Sequence, residues 1–186
     1  MSAEPADILD FWFEGGPGIW RTKWFEKNAD FDRACARFTP DIIAAREGAY
    51  DSWALKPRTA LALIILLDQL PRNVFRGLAE AFTSDARALT VAETTVAREF
   101  DLGMTVFERV FVYLPFEHAE TIEAQDQSVR RFEQLRESLG SASVDSAHRH
   151  RDVIRRFGRF PHRNEALGRV STPEEVAYLA EPGAGF

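Results

Sequence analysis

The sequence predicts an all-α fold, and three observations carry that prediction. Apolar residues recur with helical spacing, as at Phe31, Ala34, Cys35 and Phe38 (i, i+3, i+4, i+7). No segment alternates apolar and polar residues for the length of a strand. The apolar stretches are bracketed by helix punctuation, with Pro5, Pro57 and Pro173 suited to first turns and Gly48 and Gly158 to stops. With 186 residues the chain is long enough for one well-buried core, so a single domain over 1–186 is expected. Short connections imply about eight or nine helices in antiparallel hairpins.

Taken in order, Pro5 opens a helix that carries Ile8, Leu9, Phe11, Trp12 and Phe13, and Gly15-Gly16-Pro17-Gly18 ends it. Asp30 is positioned to cap the second helix. Thr39-Pro40 reads as a cap followed by a first-turn proline, so that helix kinks or restarts there, and Gly48 stops it. Pro57 begins a helix to about Leu70. Its centre, Ala60 to Leu67, is apolar on every face and therefore belongs inside the protein. A buried strand is the competing reading; Leu and Ala outnumber β-branched residues, which favours helix. Ser84-Asp85 starts the next helix, to about Arg98. Thr105 and Glu108 have capping-box spacing and open a helix to about Leu114, ahead of Pro115. A polar-faced helix follows from about His118 to Glu137, then a Gly140–Ser143 linker, then a helix from Val144 to Phe157 stopped by Gly158. Thr172-Pro173-Glu174-Glu175 combines a cap, a first-turn proline and a second capping box.

Composition narrows the function classes. The formal charge is −6, and 20 of the 23 basic residues are Arg. A generally basic nucleic-acid binder is disfavoured. Cys35 is the one cysteine, so no intrachain disulfide and no CxxC motif exists. The eight-residue run Ala60–Leu67 is the longest apolar stretch, against the roughly 20 residues of a membrane span. No basic region precedes an apolar stretch near the N-terminus. A cytoplasmic protein with a flexible tail over 181–186 is the expectation.

Three polar stretches do not look like ordinary surface. In the first, Asp68 lies four residues after Ile64 and three after Ile65, on a buried face, so it needs a partner. Arg72 and Arg76 are near, with Asn73 between them. An Asp–Arg tie at a helix end and a functional site are equally good readings. In the second, Arg109 and Tyr113 stand i, i+4 on a nearly all-apolar helix, so their polar ends meet or find partners, and His118 and Glu120 follow. The third, Ala147 to Arg169, holds seven Arg, three of the four His and only two acids. Its formal charge is +5, which leaves −11 on the rest of the chain. Guanidinium forks fit carboxylate and phosphate oxygens, and imidazoles exchange protons near pH 7. Most of these arginines are assigned to solvent or ion pairs, Arg149 and Arg156 among them. Arg159, Arg163 and Arg169 are better candidates, being outside the regular helix. Pro71-Arg72-Asn73 and Pro161-His162-Arg163-Asn164 form two proline-led Arg-Asn turns.

The runs Ala-Leu-Ile-Ile-Leu-Leu-Asp-Gln-Leu-Pro-Arg-Asn-Val-Phe-Arg-Gly, Tyr-Leu-Pro-Phe-Glu-His-Ala-Glu and His-Arg-Asp-Val-Ile-Arg-Arg-Phe-Gly-Arg-Phe-Pro-His-Arg-Asn closely resemble the bacterial DUF924 family. The opening Ile-Leu-Asp-Phe-Trp-Phe, Trp24-Phe25 and the closing Leu-Gly-Arg-Val-Ser-Thr-Pro-Glu-Glu match as well, so the resemblance spans about residues 8–179. It implies an all-α, tetratricopeptide-like fold and carries no activity with it. It places His150, rather than His148, at the motif position; His148 and Pro40 depart from the pattern.

The chain lacks HExxH and HxxxH, a GxSxG elbow, a Walker A loop and GxGxxG. No metal or cofactor is expected. A +5 patch without a stacking module makes nucleic acid a poor partner. Two functional readings follow. In the first, His162 and His118 move protons in a pocket where Asp68, Arg72, Asn73, Arg109, Tyr113, Glu120, His150, Arg159, Arg163 and Asn164 gather around an anionic small molecule, a carboxylate or phosphate. In the second, the polar residues are interhelical struts of a protein-interaction module, which predicts an exposed apolar or aromatic patch.

Overall fold

A computed structural model describes residues 2–185; Met1 and Phe186, the last residue of the expected flexible tail, lie outside the described residues. Every regular element among the described residues is helical. The α-helices are α1 (Pro5–Trp12), α2 (Ala29–Cys35), α3 (Thr39–Arg46), α4 (Pro57–Ile64), α5 (Leu70–Val74), α6 (Asp85–Ala97), α7 (Val106–His118), α8 (Ile122–Glu133), α9 (Arg136–Leu139), α10 (Ser141–Phe157) and α11 (Pro173–Leu179). No helix among them is long and apolar enough to cross a membrane.

Residues 1–76 and 80–115 form one compact unit. Its centre is α4, against which α1 and α6 pack. Ala60 to Leu70 are all buried, as an all-round apolar helix requires. An aromatic group surrounds the α1 end: Trp12 meets Phe111 edge-on with centroids 5.5 Å apart, and Trp24 meets Phe111 at 4.9 Å. The Trp24 indole N–H donates to the carbonyl of Trp12, so its polar edge is satisfied inside the core.

The helix opened by Pro57 does not end near Leu70. A π-helical turn, Ile65–Gln69, links α4 to α5 and carries the chain through Pro71 to Val74. Leu70 N–H reaches back five residues, to the Ile65 carbonyl. That wider turn accommodates a proline that lacks the N–H needed for α spacing.

Residues 77–79 and 116–186 form the second unit. Here α8 packs along α10, and Val153, Ile154 and Phe160 form a core flanked by Phe157 and Tyr178.

Several boundaries differ from the sequence reading. Asn28, and not Asp30, caps α2, its side-chain oxygen accepting from Phe31 N–H at 3.0 Å; Asp30 sits in the first turn and pairs with Arg33. A 3₁₀ turn, Ala36–Phe38, precedes the restart at Thr39, which is the first helical residue and not the cap. Helix α7 continues through Pro115 to His118. The next helix starts at Ile122, capped by Thr121, because Ala119 and Glu120 form a bend. Helix α10 begins directly after Gly140, whose φ of 76° turns the chain, so no Gly/Ser linker is present there. The capping boxes at Thr105/Glu108 and Thr172/Glu175 form as the spacing predicts.

Candidate functional site

In the first unit, the π-helical turn presents Asp68 on a fully buried face. Arg72 lies 3.2 Å from Asp68 and makes two parallel 3.0 Å hydrogen bonds to Asp85. Burial alone would weaken the Arg72 proton, but the carboxylates of Asp68 and Asp85 outweigh it and hold the guanidinium charged. Gln69 donates to Asp68 and Asn73 donates to the Gln69 carbonyl. Of the two arginines near Asp68, Arg76 turns elsewhere, pairing with Asp32 at 2.9 Å. The Pro71-Arg72-Asn73 segment is thus helical, whereas Pro161–Arg163 is a 3₁₀ turn, so the two Arg-Asn segments are not equivalent termini.

Arg109 and Tyr113 meet as their i, i+4 spacing requires. Arg109 donates to the Tyr113 hydroxyl at 2.9 Å, and the hydroxyl donates to Asp101 at 2.6 Å. Burial, together with the hydrogen bond to Asp101, pushes the Tyr113 phenol up to about 12.

The second unit gathers the remaining candidates, and three imidazoles from separate segments lie together. His118 ends α7, His150 is on the buried face of α10, and His162 is in the 3₁₀ turn. The His118 and His150 ring centroids are 6.5 Å apart. Phe160 bridges the other side, 5.5 Å from His150 and 5.6 Å from His162. His150 is 6% exposed; His118 and His162 are half-buried. The Nδ1 of His150 is 2.9 Å from the Ser146 carbonyl and 3.0 Å from a Glu117 carboxylate oxygen. Two acceptors on one side place the proton on Nδ1, so the neutral ring carries its lone pair on Nε2. Burial lowers the affinity of His150 for a second proton well below the ordinary range, and the neighbouring His118, His162 and Arg163 act in the same direction. The hydrogen bond to the Ser146 carbonyl pulls the other way and is outweighed. Ser146 donates to the same Glu117 oxygen at 3.1 Å and helps fix it.

Around this cluster the arginines are engaged by the protein. Arg163 is buried, donates to the His118 carbonyl at 3.0 Å and stacks over Phe160, 4.5 Å from its centroid. Arg169 forms a fork on Glu120 at 2.7 and 3.0 Å. Burial alone would raise the Glu120 pKa. The bonds from Arg169 and the Phe160 N–H, with the charges of Arg163 and Arg169, bring it below the usual carboxylate range. Arg159 grips Glu175 at 2.6 and 2.8 Å, and Asn164 donates to Ser171 and Glu175. Arg156 pairs with Glu174, as assigned. His148 faces away from the cluster, toward Glu133 and Arg151. No group of three or more His, Cys, Asp or Glu suited to a metal ion occurs among the described residues.

Two partners of the cluster escaped the sequence reading. Ser146 stands four residues before His150, a helical-neighbour spacing that was available. Glu117 lies inside a quoted motif, but helix α7 was expected to end at Leu114, which hid its position on a buried helical face.

The protein-family model described as "Bacterial protein of unknown function (DUF924)" matches residues 8–183. A solved structure, described as "Structure of Protein of Unknown Function ATU0120 from Agrobacterium tumefaciens", is 44% identical to the chain. The match covers 95% of this chain and 96% of that one, with a TM-score of 0.83. No curated protein matches the chain. With the motifs, the all-helical architecture and a family match over nearly its whole length in agreement, the chain belongs to the DUF924 family.

Proposed function

We propose that the chain binds an anionic small molecule, a carboxylate or phosphate, at the His118/His150/His162 cluster, and that the cluster transfers a proton to or from it. One observation carries this reading: three imidazoles from separate segments gather around a His150 whose tautomer is fixed by Glu117 and the Ser146 carbonyl. His150, held neutral in one tautomer, orients the cluster, and His118 and His162 are the groups that move the proton. The half-buried His118 and His162 are within reach of solvent, and protonation of either adds the positive charge an anion needs. Arg163 contributes a permanent charge beside them. Arg159 is committed to Glu175 and the Val170 carbonyl, and Arg72 and Arg109 are held by carboxylate, hydroxyl or carbonyl partners of the first unit.

The test is thermal denaturation with inorganic phosphate and with di- and tricarboxylates at millimolar concentration. Binding to the native state raises Tm by mass action. The expected result is a rise in Tm with at least one anion, lost in His118→Gln and His162→Gln while Tm without anion stays near that of the parent. No rise with any anion, or an equal rise in both variants, refutes the reading.

A second reading has its own support. Ile19, Trp20 and Phe25 are 51%, 41% and 49% exposed. Trp20 stacks on Phe25 at 5.2 Å and contacts Phe107 at 5.4 Å. This aromatic patch suits a protein-interaction module.

A further inference from the structure

We propose that residues 182–185 form an openable strap over His162 that controls access to the imidazole cluster. The inference rests on the reading of that cluster as a binding site. After α11 the chain turns back: Glu181 N–H bonds to the Tyr178 carbonyl, and Ala184 N–H to the Glu181 carbonyl at 3.1 Å. Those turns bring Gly185 onto His162 so closely that a Cβ on Gly185 would sit 3.3 Å from His162 Cβ and 3.7 Å from Cγ. His162 thus lies between the Phe160 ring and the tail backbone. Glu181, Pro182 and Gly183 are exposed, whereas Ala184 and Gly185 are half-buried, so the covered part is the part at the histidine.

Two features make this cover openable. Gly183 and Gly185 have φ of 80° and 87°, conformations glycine adopts and leaves freely. Residues 183–185 also carry no side chain larger than a methyl, so little apolar area or charge holds them down. The base of the strap is firm by contrast. Tyr178 packs on Phe157 at 5.1 Å, and Arg159 and Arg156 hold Glu175 and Glu174. A weakly held segment that continues from a firmly packed helix and lies over His162 has the anatomy of a small lid.

The experiment is carbethoxylation of histidines by diethyl pyrocarbonate in the full chain, followed peptide by peptide by mass spectrometry. His148, whose side chain is 37% exposed on α10, is the internal reference. The test variant is Gly185→Val, which brings both a strained φ and a collision with His162. The expected result is an increase of roughly fivefold or more in the His162 rate, with His148 unchanged, as when a weakly held segment is displaced. An unchanged His162 rate overturns the strap, and so does an acceleration shared by His148 and the buried His150. Anion-dependent stabilisation is measured separately, so the strap can fail while the binding site stands.

Discussion

The Ser84 hydroxyl donates to the Leu67 carbonyl at 2.6 Å, and both residues are fully buried. Leu67 is four residues before Pro71, so its carbonyl is the acceptor that a normal α-helical N–H at position 71 would use. Proline has no N–H, and Ser84 supplies the donor from the start of α6. The next two carbonyls also accept side-chain donors, Asp68 from Arg72 at 2.6 Å and Gln69 from Asn73 at 3.1 Å. The π-helical turn is held by side chains from three positions. Ser84→Ala leaves a buried carbonyl without that donor and is expected to cost about 1–3 kcal/mol in urea denaturation. In a Pro71→Ala background, where position 71 regains its N–H, the same change should cost less. Equal costs in the two backgrounds would show that Ser84 and Pro71 are not coupled.

Glu120 organises the segment after α10. It accepts from Arg169 twice and from the Phe160 N–H at 2.8 Å, joining the bend after α7 to both ends of the 158–169 loop. Glu120→Ala strands the Arg169 fork and the Phe160 N–H at once and should destabilise the chain by about 1–3 kcal/mol. Glu120→Gln keeps one acceptor and should cost less. Hydrogen exchange at the Phe160 amide, faster in Glu120→Ala than in the parent, localises the effect; an unchanged rate there would assign the loss elsewhere.

His150 makes stability depend on pH. Its folded pKa lies well below the ordinary value of 6.5, because burial and the neighbouring His118, His162 and Arg163 disfavour the imidazolium more than the hydrogen bond to the Ser146 carbonyl favours it. Below pH 6.5 the unfolded chain takes up a proton that the folded chain refuses. Its stabilising contribution is therefore complete above pH 6.5 and declines on acidification, by at most about 1.4 kcal/mol per pH unit. Urea denaturation from pH 7.5 to 5 should show that decline, and His150→Asn should reduce it. A His150 NMR titration midpoint above 6.5 would contradict the assignment.

Much of the fold was legible because its signals are local. Prolines at Pro5, Pro57 and Pro173, and the two capping boxes, act through residues three or four apart, and each forms as read. The misreadings arise where packing outweighs a local preference. Pro115 forfeits one helical bond, yet Phe111 to Glu117 are all buried, and that burial offsets the loss, so α7 stays helical as far as His118. Pro71 is absorbed by a π turn whose donors come from as far away as Ser84. For the candidate site, the His/Arg-rich stretch singles out His150 and His162, which the fold brings near Phe160, but charge counting could not reveal the acids opposite. Glu175 is 16 residues from Arg159, and Glu120 is 49 from Arg169. Those pairings turn an apparent array of free arginines into a largely self-satisfied network.

That network predicts a second pH dependence, on the acid side. Hydrogen bonding from Arg159, opposed by burial and aided by the Thr172 N–H and Asn164, holds the Glu175 carboxyl at about 2, below its ordinary value of 4.5. A carboxylate with a depressed folded pKa contributes stability that is complete above the unfolded pKa and lost as pH falls through the folded one. The loss attributable to Glu175 therefore falls between about pH 4.5 and pH 2, whereas the His150 decline begins at pH 6.5. Glu175→Gln removes the titrating group while keeping the Thr172 cap acceptor. It should lower stability at pH 7 and flatten the denaturation profile between pH 4.5 and 2, leaving the decline below pH 6.5 intact. A parent-like slope in that acid range for Glu175→Gln would place the acid sensitivity on other carboxylates and remove Arg159–Glu175 as the clasp of α11.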